Sequence, residues 1–319
     1  MKHNILKHFQ NMLHHIYINP LEKCNLHCKM CYTKKTTPIL SENEILNFIK
    51  RYQKEIEIKV ITFCGGEVMT LPYFPHLVNT LTEKGIFVQI ITNGTIDKLK
   101  KFNNPNLIKL IISLDGPESY HNLNRGKGTF QKSIIFLQKA QKLNFHVEIF
   151  SIVTKQSLPV IPQFEEYLKQ FGSIEITYHP RKPPSYLSIH PVSNIKGEVS
   201  GFDFLTEVEV INLMKTKNVF PPKNLGCYQI ALTSNGNIYG CCEGFDKLGT
   251  INDPIQQLFE KLKDKINGPC LGCYQPDFMC GLKNIYVCHS RTMPAGRQVG
   301  RVHTEPVHRE GNPNQNYIC

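Results

Sequence analysis

No apolar run in this 319-residue chain reaches the roughly 18 residues a helix needs to cross a bilayer, so a membrane-spanning protein is not expected. The first twenty residues have no apolar h-region and no small-residue cleavage site, so secretion is not expected either. Without a secretory signal, the 12 cysteines read as metal ligands or redox groups rather than as a disulfide framework. Cysteine is missing between Cys64 and Cys227, so two sulfur-rich regions flank a sulfur-free body. Acidic residues are in deficit, 26 against 37 Lys and Arg, which leaves a net charge of +11. That excess follows no repeated basic–aromatic pattern, so nucleic acid is not specifically signalled. At 41% hydrophobic and 20% charged, the composition is that of a folded globular protein.

The body alternates two patterns. Short β-branched runs at His15–Ile18, Lys59–Phe63, Phe87–Thr92, Leu107–Leu114, His146–Val153 and Ile174–Tyr178 read as six strands. Between them, Ser41–Glu55, Phe74–Lys84, Thr129–Leu143 and Leu158–Phe171 carry apolar residues at three- and four-residue spacing, as amphipathic helices do. Ser41 to Glu44 spells a capping box, and Ile96–Phe102 predicts a shorter helix. Strands that are nearly continuous in apolar residues and alternate with helices imply a parallel sheet. The fold class is therefore α/β, and six units are too few for a closed eight-stranded barrel, leaving a partial barrel or an open sheet. In either, chemistry gathers at the C-terminal ends of the strands. There the chain places Cys24, Gly65-Gly66-Glu67, Thr92-Asn93-Gly94 and Ser113-Leu114-Asp115-Gly116.

Residues 181–205 are rich in proline, serine and glycine and read as a linker after a core at 1–180. A helix near Thr206–Lys217, a hairpin over Gln229–Gly240 turning at Ser234-Asn235-Gly236, and a helix near Pro254–Ile266 follow. They belong to a small cysteine-rich α+β unit at 206–288. Residues 289–319 lose apolar periodicity and read as a disordered tail.

Cys24, Cys28 and Cys31 have C-x3-C-x2-C spacing. Three thiolates on one loop can ligate three irons of a [4Fe–4S] cube and leave the fourth open to a chelating ligand. On spacing alone, a zinc site completed by His27 or three incidental thiols stay open. Followed in order by Gly65-Gly66-Glu67 and Ser113-Leu114-Asp115-Gly116-Pro117, the motif resembles the radical S-adenosylmethionine (SAM) superfamily. More narrowly, residues 14 to 288 resemble its members with a C-terminal SPASM or twitch extension.

The resemblance implies a partial (β/α)6 TIM barrel and a [4Fe–4S] cluster on Cys24, Cys28 and Cys31, chelated by SAM. Reductive cleavage of SAM to a 5′-deoxyadenosyl radical would be followed by hydrogen abstraction from substrate. Gly65, Gly66 and Glu67 would meet the SAM amino group, and Asn93, Ser113 and Asp115 would line the ribose and methionine region. Arg125 would bind the SAM carboxylate. Met30 and Val68 depart from the family pattern without removing a ligand, and Cys64 reads as a structural thiol. The histidines, His121 and His179 among them, read as packed or surface residues; of these, His179 alone points toward the expected pocket.

In the C-terminal unit the resemblance implies one auxiliary [4Fe–4S] cluster on Cys227, Cys241, Cys270 and Cys273, or two if Cys280 and Cys288 hold a second, incomplete one. Cys242 is an alternative to Cys241, and a zinc ribbon on the same thiolates has the same spacing. The core of the SPASM pattern is stretched here, with Asn284 where its fourth cysteine would lie. The leading expectation is a cytoplasmic enzyme that modifies a peptide or protein and draws electrons from an external reductant such as flavodoxin or ferredoxin. Oxidation of a small molecule such as an aminocyclitol is the second, and a zinc-bound binding module the third. Fourteen residues precede the first strand, so a substrate peptide is expected to bind through a partner, the linker or the C-terminal unit. No catalytic acid or base is identifiable, Glu243 and Asp246 being guesses.

Overall fold

The computed structural model describes residues 13–31, 33–181, 199–217, 230–240 and 247–266. Six strands, β1 (His15–Ile18), β2 (Val60–Phe63), β3 (Phe87–Thr92), β4 (Ile108–Ser113), β5 (His146–Val153) and β6 (Glu175–Pro180), run parallel in chain order. The intervening helices are α1 (Glu42–Tyr52), α2 (Phe74–Thr82), α3 (Glu118–Arg125), α4 (Thr129–Lys142) and α5 (Ile161–Leu168). After α6 (Glu207–Lys217) come β7 (Ile230–Leu232), β8 (Asn237–Tyr239), β9 (Lys247–Thr250) and α7 (Ile255–Ile266). The predicted capping box at α1 is present, with Ser41 and Glu44 bonding each other's backbone N–H groups.

The hairpin does not form a sheet of its own. β7 lies parallel to β1, with Ile16 opposite Ile230, and the order becomes β6-β5-β4-β3-β2-β1-β7-β8-β9. The Arg51 guanidinium, at the end of α1, ties this extension to the core by donating to the carbonyls of Ile251, Asn252 and Asp253.

Alternation along the strands gives the sheet two unlike faces. Ile16, Ile18, Ile61, Phe63, Val88, Ile90, Leu110, Ile112 and Ile149 share one core with the helices. The other face carries His15, Thr62, Gln89, Lys109 and Glu148, all buried. They satisfy one another across strands: His15 Nε2 meets Thr62 Oγ1 at 2.7 Å, and Thr62 donates to Gln89 Oε1 at 2.8 Å. Since Thr62 spends its proton on Gln89, His15 must donate through Nε2–H. Further along, Lys109 pairs with Glu148 and with Glu175. Burying ions is costly unless they are paired, and this face carries two internally paired polar groups, whereas the sequence reading had nearly continuous apolar strands.

Two local expectations change, and one helix is added. Ile96–Phe102 forms only a 3-10 turn at Leu99–Lys101, where the Asp97 carboxylate accepts the Leu99 N–H and competes with a helix. The helix expected over Leu158–Phe171 is regular only in α5, between 3-10 turns. α3 has no signal in the apolar periodicity of the sequence, because its buried residues are His121 and Asn124 and leave no apolar stripe.

Burial holds two imidazoles neutral, lowering His15 to about 3 and His121 to about 4. In the unfolded chain both titrate near 6.5, so on acidification the unfolded state takes up protons first and stability falls. The expected cost is about 2 kcal/mol per histidine between pH 7 and pH 5. Urea unfolding at the two pH values checks this: His15→Gln should lose less stability over that interval than wild type.

Candidate active site

The cysteine loop leaves β1 and immediately crosses the turn after β2. Gly66 N–H donates to the Leu21 carbonyl at 2.8 Å and Glu67 N–H to the Lys23 carbonyl at 3.0 Å. The approach is so close that a Cβ on Gly66 would sit 1.8 Å from the Lys23 oxygen. On Gly65 it would fall 1.9 Å from Asn19 Oδ1, at a φ of +117°. The two glycines are therefore the bed on which residues 19–23 lie, a steric role additional to any exposed carbonyl.

Beyond this bed stand Cys24, Cys28 and Cys31, all free thiols and all half-buried, as is Cys64. The Cys31 N–H closes a turn onto the Cys28 carbonyl at 3.2 Å. Cys24 Sγ accepts from the Leu26 N–H at 3.4 Å and from Asn93 Nδ2 at 3.7 Å, while Cys31 Sγ meets Thr33 Oγ1 at 3.3 Å. Burial raises the Cys28 thiol; Arg125 opposes this, and Asp115, Cys31 and Cys24 add to it. Burial acts the same way on Cys31, but the Thr33 hydrogen bonds and the Lys35 ammonium carry it below the ordinary value. Among the described residues no three His, Cys, Asp or Glu side chains gather about one point as a single metal ion needs. A cube asks less, because each thiolate binds a different iron.

Glu67 is fully buried and caps the 3-10 turn after it. Its carboxylate accepts from Met69 N–H at 3.0 Å, Thr92 Oγ1 at 2.9 Å and Asn93 N–H at 2.7 Å. Burial raises its pKa against these donors. Glu67 thus fastens the end of β3 to the end of β2, and Asn93 passes the connection on by donating to Asn25 Oδ1 at 2.9 Å. Asn25 in turn donates to Thr95 Oγ1 at 2.8 Å.

After β4, Asp115 receives a bidentate Arg125 from the end of α3, Nε to Oδ2 at 2.7 Å and the second contact to Oδ1 at 2.9 Å. Asn124 Nδ2 donates to Oδ2 at 2.7 Å and Ile152 N–H to Oδ1 at 3.3 Å. Burial would raise the Asp115 carboxyl, yet the guanidinium and the hydrogen bonds bring it below the ordinary carboxylate range. Burial opposes the charge on Arg125 too, and Asp115, with smaller help from Cys28 and Cys31, raises its pKa. His121, below this pair, accepts the Asp115 N–H through Nδ1 at 3.3 Å. Ser113 is buried at the end of β4 and His179 near the end of β6.

The ends of β1 to β4 therefore bring together Cys24, Cys28, Cys31, Gly65, Gly66, Glu67, Asn93, Asp115 and Arg125. Sequence reasoning missed Asn25, Thr95 and Asn124, polar residues that each have a partner 68 or more positions away. Cys227, Cys241, Cys242, Cys270, Cys273, Cys280 and Cys288, with Glu243 and Asp246, lie outside the described residues.

Residues 18–171, which contain every site residue of this cluster, match the radical SAM superfamily. The chain carries a radical SAM domain. It is 25% identical over 292 residues to the uncharacterized protein MJ0907 of Methanocaldococcus jannaschii, covering 83% of this chain and 96% of that protein. It is also 25% identical over 308 residues to a cysteine-type anaerobic sulfatase-maturating enzyme of Clostridium perfringens, covering 78% and 83%. The solved structure of native anSMEcpe with bound AdoMet and Cp18Cys peptide superposes with a TM-score of 0.65 at 21% identity, covering 78% of this chain and 81% of that one, a likeness of fold. The protein is an enzyme, which sets aside the non-catalytic binding module. Radical SAM enzymes use a [4Fe–4S] cluster and SAM, and the donor set of this radical SAM domain fits both. It offers three neighbouring thiols on one loop, a glycine bed that seats the loop, and a guanidinium beside them. No helix among the described residues is long and apolar enough to cross a membrane.

Proposed function

We propose that Cys24, Cys28 and Cys31 hold a [4Fe–4S] cluster at which SAM is reductively cleaved, and that the substrate is a peptide or protein. The observation that carries this reading is the joining of the three-thiol loop to the ends of β2, β3 and β4 through Gly66, Asn93 and Asn124. When bound, the cluster supplies the electron and SAM supplies the radical precursor. The chain's residues seat and orient them. A guanidinium has five N–H groups, and Asp115 takes two, so Arg125 retains donors for the SAM carboxylate while Asp115 fixes its plane. Gly65 and Gly66 set the height of the loop, and Glu67 and Asn93 hold the β3 end where the SAM amino group and ribose would lie. Ser113 and the Asp115 backbone complete that side.

The peptide or protein substrate rests on the sulfatase-maturating relative, whose length the match nearly spans. Auxiliary iron–sulfur binding by Cys227, Cys241, Cys270 and Cys273, with Cys280 and Cys288 for a second cluster, rests on their spacing and on the β7–β8 hairpin that turns the chain between Cys227 and Cys241. An external one-electron reductant such as flavodoxin or ferredoxin would feed the site in a reducing cytoplasm. Anaerobically reconstituted enzyme with dithionite and SAM should release 5′-deoxyadenosine. Cys28→Ala should bring the yield to the no-enzyme background. Iron- and sulfide-loaded wild type that releases none would overturn SAM cleavage, and turnover stimulated by an aminocyclitol but by no peptide would overturn the substrate class.

A further inference from the structure

Between Cys28 and Cys31 the loop is held from outside by one residue of α3. The side-chain oxygen of Asn124 accepts the Met30 N–H at 3.0 Å, and its backbone carbonyl accepts the Lys29 N–H at 2.9 Å. Its amide nitrogen donates to Asp115 Oδ2 at 2.7 Å, the oxygen that also takes Arg125 Nε. Asn124 is 3% exposed, so water cannot readily replace these bonds. We propose that Asn124 is a positioning residue that fixes the second and third cluster thiols relative to Arg125, the two sides meeting at Asp115. The inference rests on the cluster reading above.

The chemistry requires asparagine, because one planar group must accept from a backbone N–H and donate to a carboxylate. Aspartate at this position keeps the acceptor for Met30 but turns an oxygen toward Asp115, placing two carboxylates in contact. Alanine removes both side-chain bonds and leaves the Lys29 bond in place. Neither change touches a thiol, so the effect should fall on retention of the cluster rather than on the number of ligands. Loss of a group that orients metal ligands typically costs 10- to 100-fold in affinity or activity.

The test compares wild type, Asn124→Ala, Asn124→Asp and Leu123→Ala, each reconstituted anaerobically with iron and sulfide. Iron release to EDTA and far-UV circular dichroism are followed together. Leu123 lies beside Asn124 on the exposed face of α3, and its variant should behave as wild type. Asn124→Ala and Asn124→Asp should keep the wild-type spectrum and release iron from the Cys24–Cys31 site about ten-fold faster or more. They should also weaken the change that SAM makes in the reduced cluster's electron paramagnetic resonance spectrum. Wild-type release in either folded variant would overturn the proposal. Faster release that only tracks lost helix signal in both variants would overturn it too, making Asn124 a residue of the fold alone. Wild type without labile sulfide would overturn the cluster reading instead.

Discussion

Gly66→Ala is expected to cost about 3 kcal/mol or more and to empty the Cys24–Cys31 site of iron, although no ligand is removed. The new methyl carbon would fall 1.8 Å from the Lys23 oxygen and 2.5 Å from the Lys23 carbonyl carbon. Both are backbone atoms of the segment leading into Cys24, so no side-chain rotation relieves the clash. Residues 21–23 would have to lift, giving up the bonds from Gly66 N–H and Glu67 N–H. Gly85→Ala is the matched control. That glycine has a positive φ, +77°, which Gly66 does not, but nothing lies within 4 Å of an added Cβ. Its expected cost is about 1 kcal/mol, for the left-handed backbone alone, with iron content unchanged. Urea unfolding and iron analysis on the pair separate the effects; equal behaviour of the two variants would refute the steric bed.

Asp115→Ala should be the second severe change. It leaves the Arg125 guanidinium, only 12% exposed, without its carboxylate partner; stranding a buried charge typically costs about 3–5 kcal/mol. It also removes the acceptor for Asn124 and for Ile152 N–H. Replacing both partners, as Asp115→Ala with Arg125→Met, removes the stranded charge and should recover much of the lost stability. SAM binding should not return with it, because in this account the carboxylate of SAM needs the guanidinium. Denaturant unfolding together with equilibrium dialysis of SAM distinguishes the outcomes. A double variant that binds SAM as wild type does would show that the pair is structural only.

Much of this site could be read in the sequence, and what could not has a physical reason. The thiol motif, the glycine pair and the strand-end carboxylates are local, chemically unusual strings, and parallel α/β topology carries such strings to one edge. The connections among them are long-range. Asn93 to Cys24 and Asn124 to Met30 span 69 and 94 positions, and no short pattern encodes them. α3 escaped notice because a helix that buries His121 and Asn124 has no hydrophobic periodicity to detect. The parallel pairing of β7 with β1 was hidden likewise, since a hairpin signal specifies only its own two strands. Gly66 shows the opposite case: the glycine pair stands out in the sequence, and its steric role appears only once residues 21–23 are seen lying across it.

The most direct measurement is the iron and acid-labile sulfide content of anaerobically reconstituted wild type beside the triple variant Cys24→Ala, Cys28→Ala, Cys31→Ala, with the spectrum of each recorded before and after SAM. The account predicts that the triple variant loses about four irons and four sulfides, the content of one cube, together with every SAM-dependent spectral change, while retaining whatever metal the C-terminal cysteines bind. Equal iron and sulfide in the two proteins, or a SAM-dependent change that survives in the triple variant, would contradict it.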